Sequence, residues 1–329
     1  MVTEETFVAP RWIRSAHAQT VGGRLLRGSA GVAFRKERLD TPDGDFLDLE
    51  YATVEAHPLG ENAPLVLMLH GLEGSAHSGY AVQLARALAA KGIRSVGLNF
   101  RSCGGEMNRV ARYYHSGETA DLAQVLAHLS RQIHPSHFGA LGFSLGGNVL
   151  LKYLGEQGSR ANQVFRACVA VSVPYDLAAC ADHMSHGPAR IYAKFFLRSL
   201  LKKVRTKETL LRDSCDLDRI RRARTVREFD DALTAPLHGF KDAEDYYGQS
   251  SAARFIPAIT ASTLLIHSLD DPIALGSTIP SPAIAANRSI TTAFTGTGGH
   301  VGFVGGSGPW APYFWAEHRA AEYFSEAFI

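Results

Sequence analysis

Residues 138–154 read Phe-Gly-Ala-Leu-Gly-Phe-Ser-Leu-Gly-Gly-Asn-Val-Leu-Leu-Lys-Tyr-Leu. An uncharged apolar run breaks at Gly142-Phe143-Ser144-Leu145-Gly146, and Leu150, Tyr153 and Leu154 then recur at the i, i+3, i+4 spacing of a helix. This pattern predicts a buried strand, a sharp turn and a helix. A serine on such a turn takes a strained backbone conformation, and glycines two positions to either side let the chain pass close by. Its hydroxyl is then held clear of the sheet. The helix that begins here aims unpaired N–H groups and the positive end of its dipole at the same point, which suits a forming oxyanion. Ser144 is therefore the candidate nucleophile, on a strand-turn-helix elbow.

A serine hydroxyl is a weak nucleophile and needs a base oriented by a third group. Working outward, the apolar run Ser262-Thr-Leu-Leu-Ile-His267 ends in Ser268-Leu269-Asp270-Asp271-Pro272, and Ile290-Thr-Thr-Ala-Phe294 is followed by Gly296-Thr297-Gly298-Gly299-His300. An acid and then a histidine thus follow Ser144 at successive strand ends, where ligands and catalysts collect in parallel sheets. The backbone N–H of Leu145, next to the nucleophile, and that of Leu72, after His70-Gly71, are the candidate oxyanion donors. His70 is read as a structural neighbour of that turn and His115 as a residue that orders its loop.

The remaining rhythm is βαβ. Ala33–Leu39 and Phe46–Tyr51, joined by Pro-Asp-Gly at 42–44, predict an antiparallel hairpin. Pro64–His70 and Ile93–Phe100 predict buried strands separated by a helix carrying Tyr80, Leu84 and Leu88. A helix with Leu122, Val125, Leu126, Leu129 and Ile133 on one stripe precedes the elbow strand, and Phe165–Val173 predicts another strand after it. A last helix is expected from about Trp310, with Phe314, Ala321 and Phe324 facing inward. Strands alternating with helices imply a mostly parallel sheet covered on both faces, an α/β architecture. Residues 175–256 interrupt the rhythm with a charged, helical segment. The expected organisation is a core of 1–174 and 257–329, with 1–32 an irregular amino-terminal arm, and a helical cap at 175–256.

With 329 residues, 46% apolar and 20% charged, the composition is that of a globular chain with a sizeable core. No signal peptide or apolar run of membrane-spanning length is visible, and four scattered cysteines suit reduced thiols, so a cytoplasmic location is expected. Arg190 to Arg227 carries a net charge of +9 against +2 for the whole chain. No stacking aromatic pattern accompanies it, so no nucleic-acid partner is expected. Ile191, Phe195, Phe196, Leu197, Leu200 and Leu201 interleave with Lys194, Arg198, Lys202 and Lys203, a mixture compatible either with packing on the body of the protein or with peripheral contact with anionic lipid. Cys180, His183 and His186 have a spacing a metal can use, but no fourth ligand is evident. No metal or cofactor, and no stable protein partner, is expected. Cys103 lies in a loop near the expected site without a motif that marks it as a nucleophile.

Leu69-His70-Gly71-Leu72-Glu73-Gly74-Ser75, Asn99-Phe100-Arg101-Ser102-Cys103-Gly104-Gly105, Tyr114-His115-Ser116-Gly117-Glu118-Thr119 and Gly142–Asn148, with Arg227-Glu228-Phe229-Asp230 and Gly299-His300-Val301-Gly302-Phe303, together resemble the YheT-like branch of the α/β-hydrolases. The resemblance implies an α/β-hydrolase fold and a serine hydrolase acting on a small acyl ester through an acyl-enzyme, related to members that act on acylglycerols and phospholipids. The usual acid of that fold lies three residues past a small turn residue, often before a proline. Ser268 and Pro272 place Asp271 there, leaving Asp270 to face solvent or cap the loop. Ser144, Asp271 and His300 are thus the expected triad. Acyl transfer to another alcohol uses the same residues, and a non-catalytic acyl-ligand binder is the alternative from another class.

Overall fold

The computed structural model describes residues 7–329. Its centre is an eight-stranded sheet in the order β1-β2-β4-β3-β5-β6-β7-β8, with β1 Val32–Asp40, β2 Phe46–Val54, β3 Leu65–Leu69, β4 Arg94–Asn99, β5 Phe138–Phe143, β6 Ala167–Val171, β7 Thr263–Ser268 and β8 Ile290–Thr295. The hairpin of β1 and β2 adds antiparallel to β4, and every other pairing is parallel. The continuous apolar run in β3 follows from burial on both faces. Leu65, Leu67 and Leu69 point into one core, with α3 (Thr119–Gln132) and α4 (Leu145–Gln157), while Val66 and Met68 point into the other. That second core is closed by α2 (Gly79–Ala89) and by α13 (Trp315–Ala327) at the carboxyl end of the chain, and a short α12 (Ser281–Ala286) connects β7 to β8.

Between β6 and β7 the chain runs through helices alone: α5 (Leu177–His183), α6 (Arg190–Thr206), α7 (Glu208–Leu211), α8 (Leu217–Arg222), α9 (Val226–Phe229), α10 (Ala235–Leu237) and α11 (Ala243–Ser250), then a 3-10 segment, Ala252–Ala258. This insertion has its own apolar cluster, in which Leu197, Val204, Leu211, Ile220, Phe229 and Leu233 close around Tyr113 from the loop after β4. Ala252 and Ile256 pack instead in the main core beside α4.

Two local expectations fail. The arm is not irregular: Arg11–Ile13 forms a 3-10 turn and Ala16–Leu26 the helix α1, capped by the Ser15 side chain. The buried residues of α1 are Gln19 and Gly23, so no apolar stripe announces it. Gln19 donates to Ile13 O and Val304 O, both at 2.9 Å, and accepts from the Val304 N–H at 2.7 Å. Gly23 lies against the chain at Gly302, where a Cβ would come within 3.0 Å of the Gly302 Cα. The carboxyl-terminal helix begins at Trp315 rather than near Trp310, because Val304–Gly306 (β9) and Pro312–Phe314 (β10) form a small antiparallel pair first. Pro312 disfavours helix at the residue before it. Among the described residues no helix is long and apolar enough to cross a membrane.

Candidate active site

Ser144 follows β5 with φ 52° and ψ −117°, and α4 begins at the next residue. The turn is tight enough that a Cβ on Gly146 would lie 2.4 Å from Leu69 O, and one on Gly142 would lie 2.3 Å from Gly146 O. Only hydrogen fits in both places. Among the described residues the other non-glycine positions with positive φ are Glu73, Ser102, Ser172, Val301 and Phe303, each on a loop that follows a strand of the central sheet. Backbone strain is thus gathered at one end of the sheet, and strain of this kind persists only where the surrounding structure over-determines it, as at functional sites.

The loop after β8 carries His300 to Ser144. His300 Nε2 lies 2.9 Å from Ser144 Oγ, and His300 Nδ1 lies 2.8 Å from Asp271 Oδ2. The Asp271 side chain is fully buried and that of His300 nearly so. Asp271 Oδ1 accepts from the N–H groups of Ile273 and Ala274, both at 2.8 Å. With an acceptor-only carboxylate on one side, Nδ1 carries the imidazole proton, and Nε2 is left to accept from the serine hydroxyl. Asp270 points elsewhere. Its Oδ1 accepts from the Gly299 N–H at 2.8 Å and from the Ser268 hydroxyl, so it caps the loop beside His300. The opposite side of that loop is held by α1, where Thr20 Oγ1 accepts from the His300 N–H at 2.9 Å.

The turn after β3 faces the elbow. His70 is fully buried, donates from Nδ1 to Gly71 O at 2.7 Å and accepts at Nε2 from the Phe100 N–H at 3.1 Å. Burial pushes its pKa down to about 4, so it is a neutral brace. The Gly71 N–H is spent on the Tyr80 hydroxyl at 3.0 Å, and the Glu73 N–H on the Tyr114 hydroxyl at 2.8 Å. The Leu72 N–H between them, like the Leu145 N–H at the start of α4, has no hydrogen-bond acceptor among the described residues. Leu72 and Leu145 line a cavity of about 80 Å³ under the helical insertion, with Tyr114, Leu200, Val204, Phe229 and Leu233 among its walls.

Glu73 and Arg101 lie in the motifs that carry the resemblance, but the sequence shows no role for either. Glu73 accepts from the Tyr114 hydroxyl at 2.9 Å, from Lys203 Nζ at 2.7 Å and from the Ser199 hydroxyl, tying the turn to α6. Arg101, buried, bridges Asp121 (2.7 and 2.8 Å), Asp43 and Asp45 (both 2.8 Å) and anchors the loop after β4. The glycine-rich motif marks that loop, but its ionic partners are spread along the chain. Cys103 lies 3.2 Å from Lys203 Nζ, yet burial pushes its thiol up to about 11, which disfavours a thiolate nucleophile.

The metal spacing noted in the sequence is not assembled: Cys180 is buried, His183 is exposed, and His186 Nδ1 contacts Asp182 O at 3.0 Å. His115, Glu118 and His238 do converge, with ligand atoms within 4.8 Å of one another. There His115 Nδ1 accepts from the Gly117 N–H at 3.1 Å, which leaves its Nε2 protonated toward Glu118. Glu118 is already engaged by Arg112 and by the start of α3. His115 and His238 line the cavity, and Glu118 is held by Arg112.

Residues 64–304 match the alpha/beta hydrolase fold family. The chain belongs to the α/β-hydrolase family. Within it, YheT of Escherichia coli (strain K12) is 37% identical over 321 residues, covering 97% of this chain and 93% of that protein, so the YheT-like branch is the right one. Phospholipase ABHD3 of Mus musculus is 27% identical over 312 residues, 94% of this chain and 75% of the relative. The solved esterase Pf2001 of Pyrococcus furiosus shares the fold, with a TM-score of 0.60 at 15% identity over 100% of this chain and 98% of that one.

Proposed function

We propose that this α/β-hydrolase cleaves carboxylic acyl esters, with Ser144 as nucleophile, His300 as general base and then acid, and Asp271 as the group that orients His300. The observation that carries the reading is the relay from Ser144 Oγ through His300 to the buried Asp271 carboxylate, at 2.9 and 2.8 Å, on a serine strained clear of the sheet. Ser144 attacks the ester carbonyl while its proton passes to His300 Nε2. The oxyanion forms between the Leu72 and Leu145 N–H groups, which need no reorganisation to receive it. His300 then protonates the departing alcohol, and water repeats the sequence on the acyl-enzyme. The cavity of about 80 Å³ beside the two donors, walled in part by Leu200, Val204, Phe229 and Leu233, suits a short acyl chain. Relatives named phospholipase and monoacylglycerol lipase agree with an ester of lipid type.

The test pairs a fluorophosphonate probe with a p-nitrophenyl ester series graded in chain length. The native chain should be labelled and should turn over at least one ester, while Ser144→Ala should do neither. Equal labelling of both proteins refutes the assignment.

A further inference from the structure

The apolar residues of α6 divide into two sets. Ala193, Leu197 and Val204 are buried, and Leu200 and Leu201 pack against the insertion's cluster. Ile191 and Phe195 are not: they are 67% and 49% exposed. Positions 191, 195, 198 and 202 recur at helical spacing, so Ile191 and Phe195 share one outward face with Arg198 and Lys202, and Lys194 flanks it. Helix α1 lies alongside. His17 Nδ1 meets the Tyr192 hydroxyl at 2.8 Å, and the Arg24 guanidinium sits 4.8 Å from the centre of the Phe195 ring. On the same face of α1, Val21 and Leu25 are 48% and 75% exposed.

Charge is as lopsided as polarity. Residues 7–36 contain no Asp or Glu, and neither do residues 184–207. Arg14, Arg24, Arg190, Lys194, Arg198, Lys202 and Arg205 are all exposed, and among the described residues none is in an ion pair with a carboxylate. A solvated basic face explains the cations but not four large apolar side chains among them. A nucleic-acid backbone answers the cations and leaves the apolar groups in water. An anionic bilayer answers both, because its headgroups meet the cations while the side chains enter the acyl boundary.

We propose that the paired outer faces of α1 and α6 dock this protein on an anionic lipid bilayer. The face adjoins the chemistry at two points: α1 holds the His300 loop through Thr20, and Leu200 and Val204 of α6 line the cavity. A docked molecule therefore presents its cavity beside the lipid phase. That last consequence rests on the ester-hydrolase reading, whereas docking itself does not.

The experiment is co-sedimentation of the full chain with vesicles of phosphatidylcholine alone or mixed with phosphatidylglycerol, at low and high salt. The two variants are Lys194→Ala/Arg198→Ala/Lys202→Ala and Leu25→Ser/Phe195→Ser. Binding is expected only to phosphatidylglycerol vesicles and should weaken as salt screens the surface. Each basic residue near an anionic surface is worth roughly fivefold in partitioning, so the triple variant should bind roughly a hundredfold more weakly. The apolar double variant should lose about tenfold at equal net charge, from the methylenes it withdraws from the acyl boundary. All these substitutions are on exposed side chains, so melting temperature and turnover of a soluble short-chain ester should stay at native values. Absence of binding by the native chain overturns the proposal. So does binding that the apolar variant leaves unchanged while a DNA duplex competes it away, or lipid-free dimerisation that the same variant abolishes. Loss of turnover in Ser144→Ala with vesicle binding intact supports both readings separately.

Discussion

Replacing Asp271 by asparagine should nearly abolish turnover without unfolding the protein, and the surroundings of the carboxylate say why. Oδ1 is fixed by the Ile273 and Ala274 N–H groups, both at 2.8 Å, so the amide oxygen of the Asp271→Asn side chain must take that place. Turning the amide over would set its NH2 against two donors. The NH2 therefore faces His300 Nδ1, which must become the acceptor, and the imidazole proton moves to Nε2. A protonated Nε2 cannot accept from the Ser144 hydroxyl. In a related triad the same exchange lowers kcat by about 10⁴, equivalent to about 5.4 kcal/mol of transition-state stabilisation. Asp270→Asn is the control one residue away. Its oxygen can still accept from the Gly299 N–H and the Ser268 hydroxyl, so the loop stays in place and activity should remain within about tenfold, since a half-buried neutral replacement of a hydrogen-bonded carboxylate costs about 1 kcal/mol. Steady-state kinetics on a soluble ester, with circular dichroism and melting curves for both variants, decide the matter. Asp271→Asn with more than a tenth of native kcat, or a deeper loss in Asp270→Asn, refutes the tautomer argument.

Other outcomes follow from single features. Ser144→Gly should be more stable than Ser144→Ala by about 1 kcal/mol, because glycine alone relieves the positive φ; equal melting temperatures would mean the turn is unstrained. Glu73→Ala leaves the Lys203 ammonium unpaired in a nearly closed site and should cost roughly 3 kcal/mol, much of it recovered in Glu73→Ala/Lys203→Met; equal losses in the single and double variants would exclude the pair as the cause. Acid should destabilise the fold between pH 6.5 and 4. His70 and His238 are each held down to about 4 by burial, so the unfolded chain binds protons there first and stability is lost as pH falls through that window. Asp230, pushed up to about 6 by burial, acts in the opposite sense over part of the range. Denaturant unfolding of native protein and His238→Gln checks this: the variant should lose part of the pH slope.

The sheet was legible because β3, β5 and β6 are buried on both faces, which leaves short apolar runs cut by glycine, and because the elbow demands Gly142 and Gly146 for steric reasons. The three residues of the relay were locatable because each follows a strand in a fixed order. Helix α1 was not legible, since it docks through a glutamine and a glycine and shows no apolar stripe. β9 and β10 are three residues each, too short for a period-two signal. The apolar positions of α6 looked alike in sequence. Only the packed structure separates Leu197, which faces Ile220 and Phe229, from Phe195, which faces outward under Arg24.

The contacts of α1 and of the residue that follows it join stretches that lie far apart in the chain: Thr20 to His300, Gln19 to Val304, and Arg27 to Glu317 of α13 through a buried ion pair at 2.7 Å. On the ribosome α1 is made long before its counterparts. While the intervening sheet and insertion are being synthesised, α1 has neither the loop it braces nor the acid that pairs with Arg27. Contacts of such long sequence separation form late, after loop closure has been met elsewhere. On the proposed reading, a nascent chain therefore carries Ser144 well before it carries His300, and ester hydrolysis awaits the emergence of the His300 loop and its docking on α1.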